Sequence, residues 1–455
     1  MQKDAPRRRT RDRFVHWPTL CALLLFFASD YKLRVRENDQ SISGRADPFV
    51  LLEVGLYGLV ALFLVTHFDL PPRIRRVSTP VFLATGWVVV MVVSVTYSPY
   101  PVLAAIRATE LVIVLALARA MARHASRAQL HHLAHWFIVL VAGSVIFGIL
   151  FPMPRFPLQQ DRFTWLRLHP VQAGIFVGVA TVLAVLYLLA GSAARPGPIW
   201  PRWLYAVLLL LVGGGLIGTN TRGATLGAGV GILLVAFATR SGRRKLDAAV
   251  LLGVGGIAVT LASSAQIAAF FARGEDARRL ASLNSRTTLW SEAWVFIREQ
   301  PLYGWGLGAT RGLFLESIGL GGAHNAVINT LVDTGVVGCL LWLGIVVSVA
   351  VLAARVRSTE ADVRWDRALI FGVLAFLVVD GIFTEAPAAA ANVGSTWLLL
   401  LVGWLDVLRA DVAAAAAPAV VPSRPDPVPV AVPLDRTYSR RRRSAAAARV
   451  RRPRG

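Results

Sequence analysis

Residues 203–239 read WLYAVLLLLVGGGLIGTNTRGATLGAGVGILLVAFAT. Two apolar runs, 203–219 and 222–239, flank the polar step Thr219-Asn220-Thr221-Arg222. Each is near the roughly 17–25 residues that a helix needs to cross a bilayer. Lipid leaves no partner for a bare backbone, so such runs cross as helices. The stretch therefore predicts a tight transmembrane hairpin. Outward from it the pattern recurs at 16–30, 48–68, 79–98, 101–122, 133–152 and 170–191, and again at 247–268, 326–354, 367–384 and 392–409. The predicted fold class is all-α, a polytopic membrane protein of about twelve spans.

Composition agrees. Of 455 residues, 55% are hydrophobic and 16% charged, with a mean hydropathy of +0.58. A soluble chain carries about 25% charged residues, and this one lacks the polar residues to cover its apolar surface. That excludes a soluble enzyme, a secreted disulfide scaffold and a nucleic-acid binder. Cys21 and Cys339 both lie in apolar runs, so neither a disulfide nor a thiolate metal site is implied. Six basic residues precede the first run and no small-residue cleavage site follows it, so no cleavable signal is expected.

Charge sets the orientation. With the N-terminus inside, inner segments hold 33 Lys and Arg against 14 outside, which predicts both termini in the cytoplasm. The chain then divides into a basic N-terminus (1–15), a transmembrane domain (16–409) and a tail (410–455). The domain includes one large outer loop, 269–325, between spans 9 and 10, expected to hold short helices. The tail, rich in Ala, Pro, Val and Arg, is read as disordered and cytoplasmic; its Arg440-Arg441-Arg442-Arg443 run acts first as a topology anchor.

Chemistry-bearing residues gather on the outer face. His324-Asn325 precedes Gly335-Val336-Val337-Gly338. If the helix is continuous, the eleven-residue step from His324 to Gly335 is about three turns. His324, Ile328, Leu331, Gly335 and Gly338 then share a face, and the glycines admit a neighbouring helix. Arg222 opens a span after a capping Thr-Asn-Thr, where helix N–H groups and a guanidinium together suit an anion. Leu226 lies on its face, and Gly213, Gly214, Gly215 and Gly218 of the preceding span promise close packing of the two. Leu289, Trp290, Ala293, Trp294 and Ile297 repeat at helical spacing, which predicts an amphipathic helix on the membrane surface. Arg286 stands at its positive end. Pro301 stops that helix, and Gly304-Trp305-Gly306-Leu307-Gly308 forms a turn better suited to structure than to cradling phosphate. Two arginines at helix N-termini and one histidine form the candidate set, because arginine binds phosphate oxygens bidentately.

At these residues the sequence resembles the O-antigen ligase and polymerase family. Arg222-Gly223-Ala224-Thr225-Leu226 matches its Arg-x-x-x-Leu pattern. His324-Asn325 through Gly335 and Gly338 matches its His-[Asn/Ser/Gln]-x9-Gly pattern, and 285–308 resembles its outer-loop signature. The resemblance is strong over 203–355. It implies a membrane glycosyltransferase that takes a glycan from undecaprenyl diphosphate on the periplasmic face of a bacterial inner membrane and delivers it to a glycan, lipid or protein acceptor. It implies an inverting reaction without metal or other cofactor. By motif, Arg222 and Arg286 would hold the diphosphate and His324 would act at the acceptor hydroxyl. A histidine with an ordinary pKa of about 6.5 suits that task.

Weaker candidates are substrate contacts at Asn325, Arg162, Arg167, His169 and Arg311. Arg107 and Glu110, spaced i, i+3 inside a span, form an expected self-satisfied pair. His131 and His135, spaced i, i+4 on the inner side, are assigned to packing rather than metal. Within the ligase reading, a polymerase using the same donor is the alternative. A metal-dependent transferase with Glu37 and Asp39 as ligands, and a lipid-linked glycan flippase, are the competing readings. The flippase is disfavoured because polar residues gather at the outer edge rather than the midplane.

Overall fold

The computed structural model describes residues 16–34, 42–43, 47–67, 77–153, 162–190, 200–240, 286–319, 321–357 and 360–416. The chain forms two compact units, Met1–Val412 and Ala413–Gly455; the site lies in the first. Thirteen α-helices are described: α1 Trp17–Asp30, α2 Pro48–Thr66, α3 Thr79–Ser94, α4 Pro101–His124, α5 Arg127–Leu150, α6 Pro170–Leu189, α7 Arg202–Gly218, α8 Arg222–Ala238, α9 Arg286–Glu299, α10 Ala309–Ile318, α11 Ala326–Arg355, α12 Ala361–Gly381 and α13 Val393–Ala416. No strand occurs among the described residues.

Eleven of the twelve apolar stretches fall on helices. The ninth, 247–268, lies outside the described residues, as do 1–15, Glu37, Asp39 and the tail beyond 416. Helices α2, α4, α5, α6 and α11 are long and apolar enough to cross a membrane; α1, α3, α7 and α8 are shorter apolar helices. The architecture is that of an all-helical polytopic membrane protein.

Local chemistry moves one boundary well away from the hydropathy limit. α5 begins at Arg127, six residues before its apolar run. The Ser126 hydroxyl accepts from Gln129 N–H while the Gln129 side chain accepts from Ser126 N–H, a reciprocal cap.

Small residues decide which helices meet. The four glycines at the end of α7 do not face α8, contrary to expectation. A Cβ on Gly214 would touch nothing, one on Gly215 would meet Val145 and Val177, and one on Gly218 would meet Phe163. The close approach is between α8 and α12. Added Cβ atoms on Gly223, Gly227 and Gly231 would lie 2.6 Å from Phe383, 2.9 Å from the Phe376 carbonyl and 2.6 Å from the Gly372 carbonyl. This glycine stripe brings the two backbones together antiparallel. Leu226, off the stripe, is exposed.

At the far end of α12 a buried polar cluster ties four helices. Asp366 accepts from Arg127 Nε (2.7 Å) and Trp404 Nε1 (2.7 Å), and His131 Nε2 lies 3.0 Å away. His131 Nδ1 meets the Tyr187 hydroxyl at 2.7 Å. His131 thus has a carboxylate partner from a distant helix. His135 turns to the His131 carbonyl and stacks near Tyr187, so the pair serves packing. No metal-binding group of three His, Cys, Asp or Glu occurs among the described residues.

Candidate active site

The site forms around the C-terminal turn of α12. Three helices begin beside it. α8 starts at Arg222, and its next residue, Gly223, abuts Phe383. α11 starts after Asn325, whose side-chain carbonyl accepts from Ile328 N–H (3.0 Å) and whose amide donates to the Ile382 carbonyl (3.1 Å). α6 starts at Pro170, whose carbonyl accepts from the Thr221 hydroxyl (3.2 Å) at the head of α8. Three positive helix ends therefore converge, an arrangement that favours an anion.

His324 precedes the Asn325 cap rather than riding on the helix. Its φ of 50° places it in the left-handed region, rare for a residue with a side chain. Strain of this kind clusters at functional sites. Its Nδ1 lies 3.6 Å from Glu385 Oε2. Burial pushes the Glu385 carboxyl up, but His324, its own backbone and Arg311 outweigh this and hold it below the usual range. Glu385 is thus a carboxylate facing the imidazole.

A cleft of about 650 Å³ opens in front of this pair, lined by His324, Glu385, His169, Arg167, Arg311, Lys32, Arg34 and Arg107, among others. His169 caps α6, its Nδ1 accepting from Val171 N–H at 3.2 Å. The ring is open to the cleft, yet the protein packed around it desolvates the charged form, and with the nearby charges of Arg162 and His324 this lowers its pKa to about 4 against the opposing pull of Glu385. Arg162 donates to the Thr219 carbonyl and the Thr221 hydroxyl, both at 2.9 Å, so it buttresses the α7–α8 turn as it faces His169.

The glycine motif has a different role from the one expected. α11 is not continuous. Gly335 has φ 64° and ψ −163°, a break inside the helix. Residues 301–306 splice into it. Val336 and Val337 donate to the carbonyls of Pro301 (2.9 Å) and Leu302 (3.3 Å), while Trp305 and Gly306 donate to those of Val332 and Asp333 (2.8 Å each). A Cβ on Gly335 would lie 2.3 Å from the Leu302 carbonyl, and one on Gly304 2.5 Å from that of Val332. What approaches is a loop, not a helix, and the N–H groups of the 304–308 turn are committed to protein acceptors. Gly338 faces Thr334 of its own helix across the break. Asp333, buried here, accepts from the Thr310 N–H (2.8 Å) and hydroxyl (2.5 Å), which locks α10 to α11.

α9 likewise faces protein rather than lipid. Leu289, Ala293 and Ile297 bury against Phe314, Ala323 and Val332. Trp290 Nε1 donates to the Ala323 carbonyl (3.2 Å), one residue before His324. Only the opposite side, with Trp294, is exposed. Of Arg286 the structure describes the backbone, as the first residue of α9; its side chain lies outside the described residues.

The structure thus gathers Arg222, His169, Arg162, His324 and Asn325 about one turn, with Arg167 and Arg311 on the adjoining cleft. The sequence reading missed Glu385. A signal existed: Asp380 and Glu385 are the sole acids between Asp366 and Asp406, both at a span end. Asp380 is taken by the Thr384 hydroxyl at 2.9 Å, and Glu385 is left to the histidine.

No curated protein matches the chain. A family model described as O-Antigen ligase matches residues 206–343, a stretch that holds Arg222, Arg286, His324 and the Gly335 splice. Over residues 206–343 this chain is therefore similar to the O-antigen ligase family, and that segment supports a ligase-like function in glycan transfer.

Proposed function

We propose that the protein transfers a glycan from a polyprenyl diphosphate, of the undecaprenyl type, to an acceptor hydroxyl on the periplasmic side of a bacterial inner membrane. The observation that carries this reading is the His324–Glu385 pair set where three helix N-termini meet.

In this reading Glu385 faces Nδ1 and favours the tautomer with Nε2 unprotonated. Nε2 takes the acceptor proton as the new bond forms between the acceptor oxygen and the anomeric carbon. The bond from that carbon to the diphosphate oxygen breaks, and the diphosphate leaves with the electron pair. Arg222, Arg286 and the helix ends stabilise the negative charge it gains, the kind of preorganised electrostatics that dominates many enzymatic rate gains. Glu385 in turn stabilises the imidazolium. One displacement inverts the anomeric configuration. The arginines supply the positive charge that a metal supplies in other diphosphate enzymes.

The test is reconstitution in lipid vesicles with a defined undecaprenyl-diphosphate glycan, candidate acceptors and a chelator. The expected product is an acceptor bearing one transferred glycan, with free undecaprenyl diphosphate. A ladder of growing chains would identify a polymerase instead. Donor appearing in the opposite leaflet with its covalent structure intact would replace transfer by transport.

A further inference from the structure

The last residue of α1, Asp30, is a fully buried carboxyl. Its Oδ1 accepts from Trp165 Nε1 at 2.7 Å and its Oδ2 from the Ser144 hydroxyl at 2.6 Å. Both donors are neutral. A carboxyl taken out of water is costly unless its partners are well placed, and an apolar residue would pack there without that cost. Its presence is explained by what it holds, the loop 162–169. Trp165 is buried, and Gly148 of α5 makes room for it, since a Cβ there would lie 2.9 Å from Trp165 Cβ. Around the indole the chain closes into a tight turn. The Thr164 hydroxyl donates to the Leu168 carbonyl (2.8 Å) and Leu168 N–H to that of Trp165 (3.2 Å). Leu166 takes φ 48°, a left-handed conformation that leucine holds only where its surroundings impose it. Two residues past Asp30, the Lys32 carbonyl accepts from Arg167 N–H at 2.9 Å. The start of the loop is tied instead to the α7–α8 turn, by Phe163 N–H to the Gly218 carbonyl (2.6 Å) and by the Arg162 guanidinium to that of Thr219 (2.9 Å). The residues thus anchored include Arg167 and His169, which line the cleft with His324.

We infer that Asp30 is a positioning residue for glycan transfer: through Trp165 it fixes the 162–169 loop and so sets where Arg167 and His169 stand against the substrate. The inference rests on the transfer reading above, and it extends the site's support to α1, outside the residues 206–343 matched to the family. Asp30 itself touches no reacting atom. The indole is the lever. Its ring is clamped in the core and its N–H is spent on Asp30, so the Trp165 backbone takes one position relative to α1, and Arg167 and His169 follow within a turn. A loop held by its backbone ties alone could rock about them. A shift of about 1 Å at a group that contacts substrate costs on the order of 10²-fold in rate. A carboxyl that accepts from two fixed donors removes that freedom, because such bonds weaken steeply off their preferred angles.

The test combines transfer kinetics in lipid vesicles with amide hydrogen exchange of the full chain. Asp30→Ala and Trp165→Phe should each lower kcat/KM on the order of 10- to 10²-fold. Asp30→Asn, whose side-chain carbonyl still accepts from the indole, should recover most of that loss. A double-mutant cycle with Arg167→Gln carries the readout that a merely structural role would not move: Asp30→Ala should cost much less kcat/KM once the Arg167 guanidinium is gone. In Asp30→Ala, exchange should quicken at Arg167 and Leu168 and stay slow at Phe163, which the Gly218 carbonyl holds. Trp165→Phe keeps an aromatic ring in the core, and carries the same cycle and exchange measurements where Asp30→Ala does not fold. Additive losses in the cycle would overturn the inference, as would unchanged exchange at Arg167 and Leu168, or an Asp30→Asn variant no better than Asp30→Ala. Quickened exchange with no transfer even by the wild type would keep the anchor and remove the glycan-transfer reading. Transfer by the wild type with additive losses and unchanged exchange would do the reverse.

Discussion

Replacing Gly335 by alanine probes the splice that joins the 301–306 loop to α11. At φ 64° and ψ −163° a side chain costs on the order of 1–3 kcal/mol in backbone strain. The new Cβ would also lie 2.3 Å from the Leu302 carbonyl, so the 302–303 peptide must move. That movement loosens the bonds from Val336 to Pro301 and from Val337 to Leu302, each worth about 1 kcal/mol net. The expected loss is about 3–5 kcal/mol. Unfolding entropy of about 2.1 cal/mol/K per residue makes this a fall of roughly 3–5 °C in thermal midpoint for a chain of this size. Because α11 begins beside His324, transfer activity should fall as well. The control is Gly214→Ala, where a Cβ meets nothing within 4 Å; it should be neutral or stabilise by up to about 1 kcal/mol. Thermal unfolding in detergent, followed by intrinsic fluorescence, reads both variants. A midpoint for Gly335→Ala equal to that of Gly214→Ala would refute the splice argument.

Three other outcomes are expected. Asp366→Asn breaks the charged core of the α5–α6–α12–α13 cluster around a fully buried carboxylate; thermal unfolding should show a loss of about 3–5 kcal/mol, as for other broken buried pairs, and wild-type stability would count against the cluster. His169 is held at a pKa of about 4, below its unfolded value, so the unfolded chain binds the extra proton between about 6.5 and 4. The stability it contributes is present above pH 6.5 and is lost as pH falls toward 4. His169→Asn keeps a helix cap without titrating there, and its stability should be flatter across that window when unfolding is followed against pH. Trp290→Phe removes the donor to the Ala323 carbonyl; a loss of about 1 kcal/mol with a larger proportional drop in transfer is expected, and unchanged kinetics would show that α9 does not hold the His324 turn.

The apolar runs were legible because lipid leaves a spanning backbone few choices. Eleven stretches accordingly coincide with helices. The start of α5 was not legible from hydropathy, since a four-residue cap at Ser126 overrides the polar turn after it. Periodicity in 289–297 revealed an apolar face, but not that Phe314 and Val332 cover it. The break at Gly335 depends on a loop thirty residues upstream in its approach, and a positive φ leaves no local mark that distinguishes it from a packing glycine. His324 and Arg222 stood out by residue type and position. Glu385 was marked only as one of two acids at a span end, and its choice over Asp380 comes from the fold that carries the end of α12 to the start of α11.

The most direct test of the account is single-turnover transfer from radiolabelled undecaprenyl-diphosphate glycan to acceptor by purified protein, with and without His324→Ala. A general base contributes about 10²–10⁴-fold in rate. The account predicts a loss in that range, with donor binding retained and a smaller loss in Glu385→Gln. Equal single-turnover rates in the wild type and His324→Ala would contradict it.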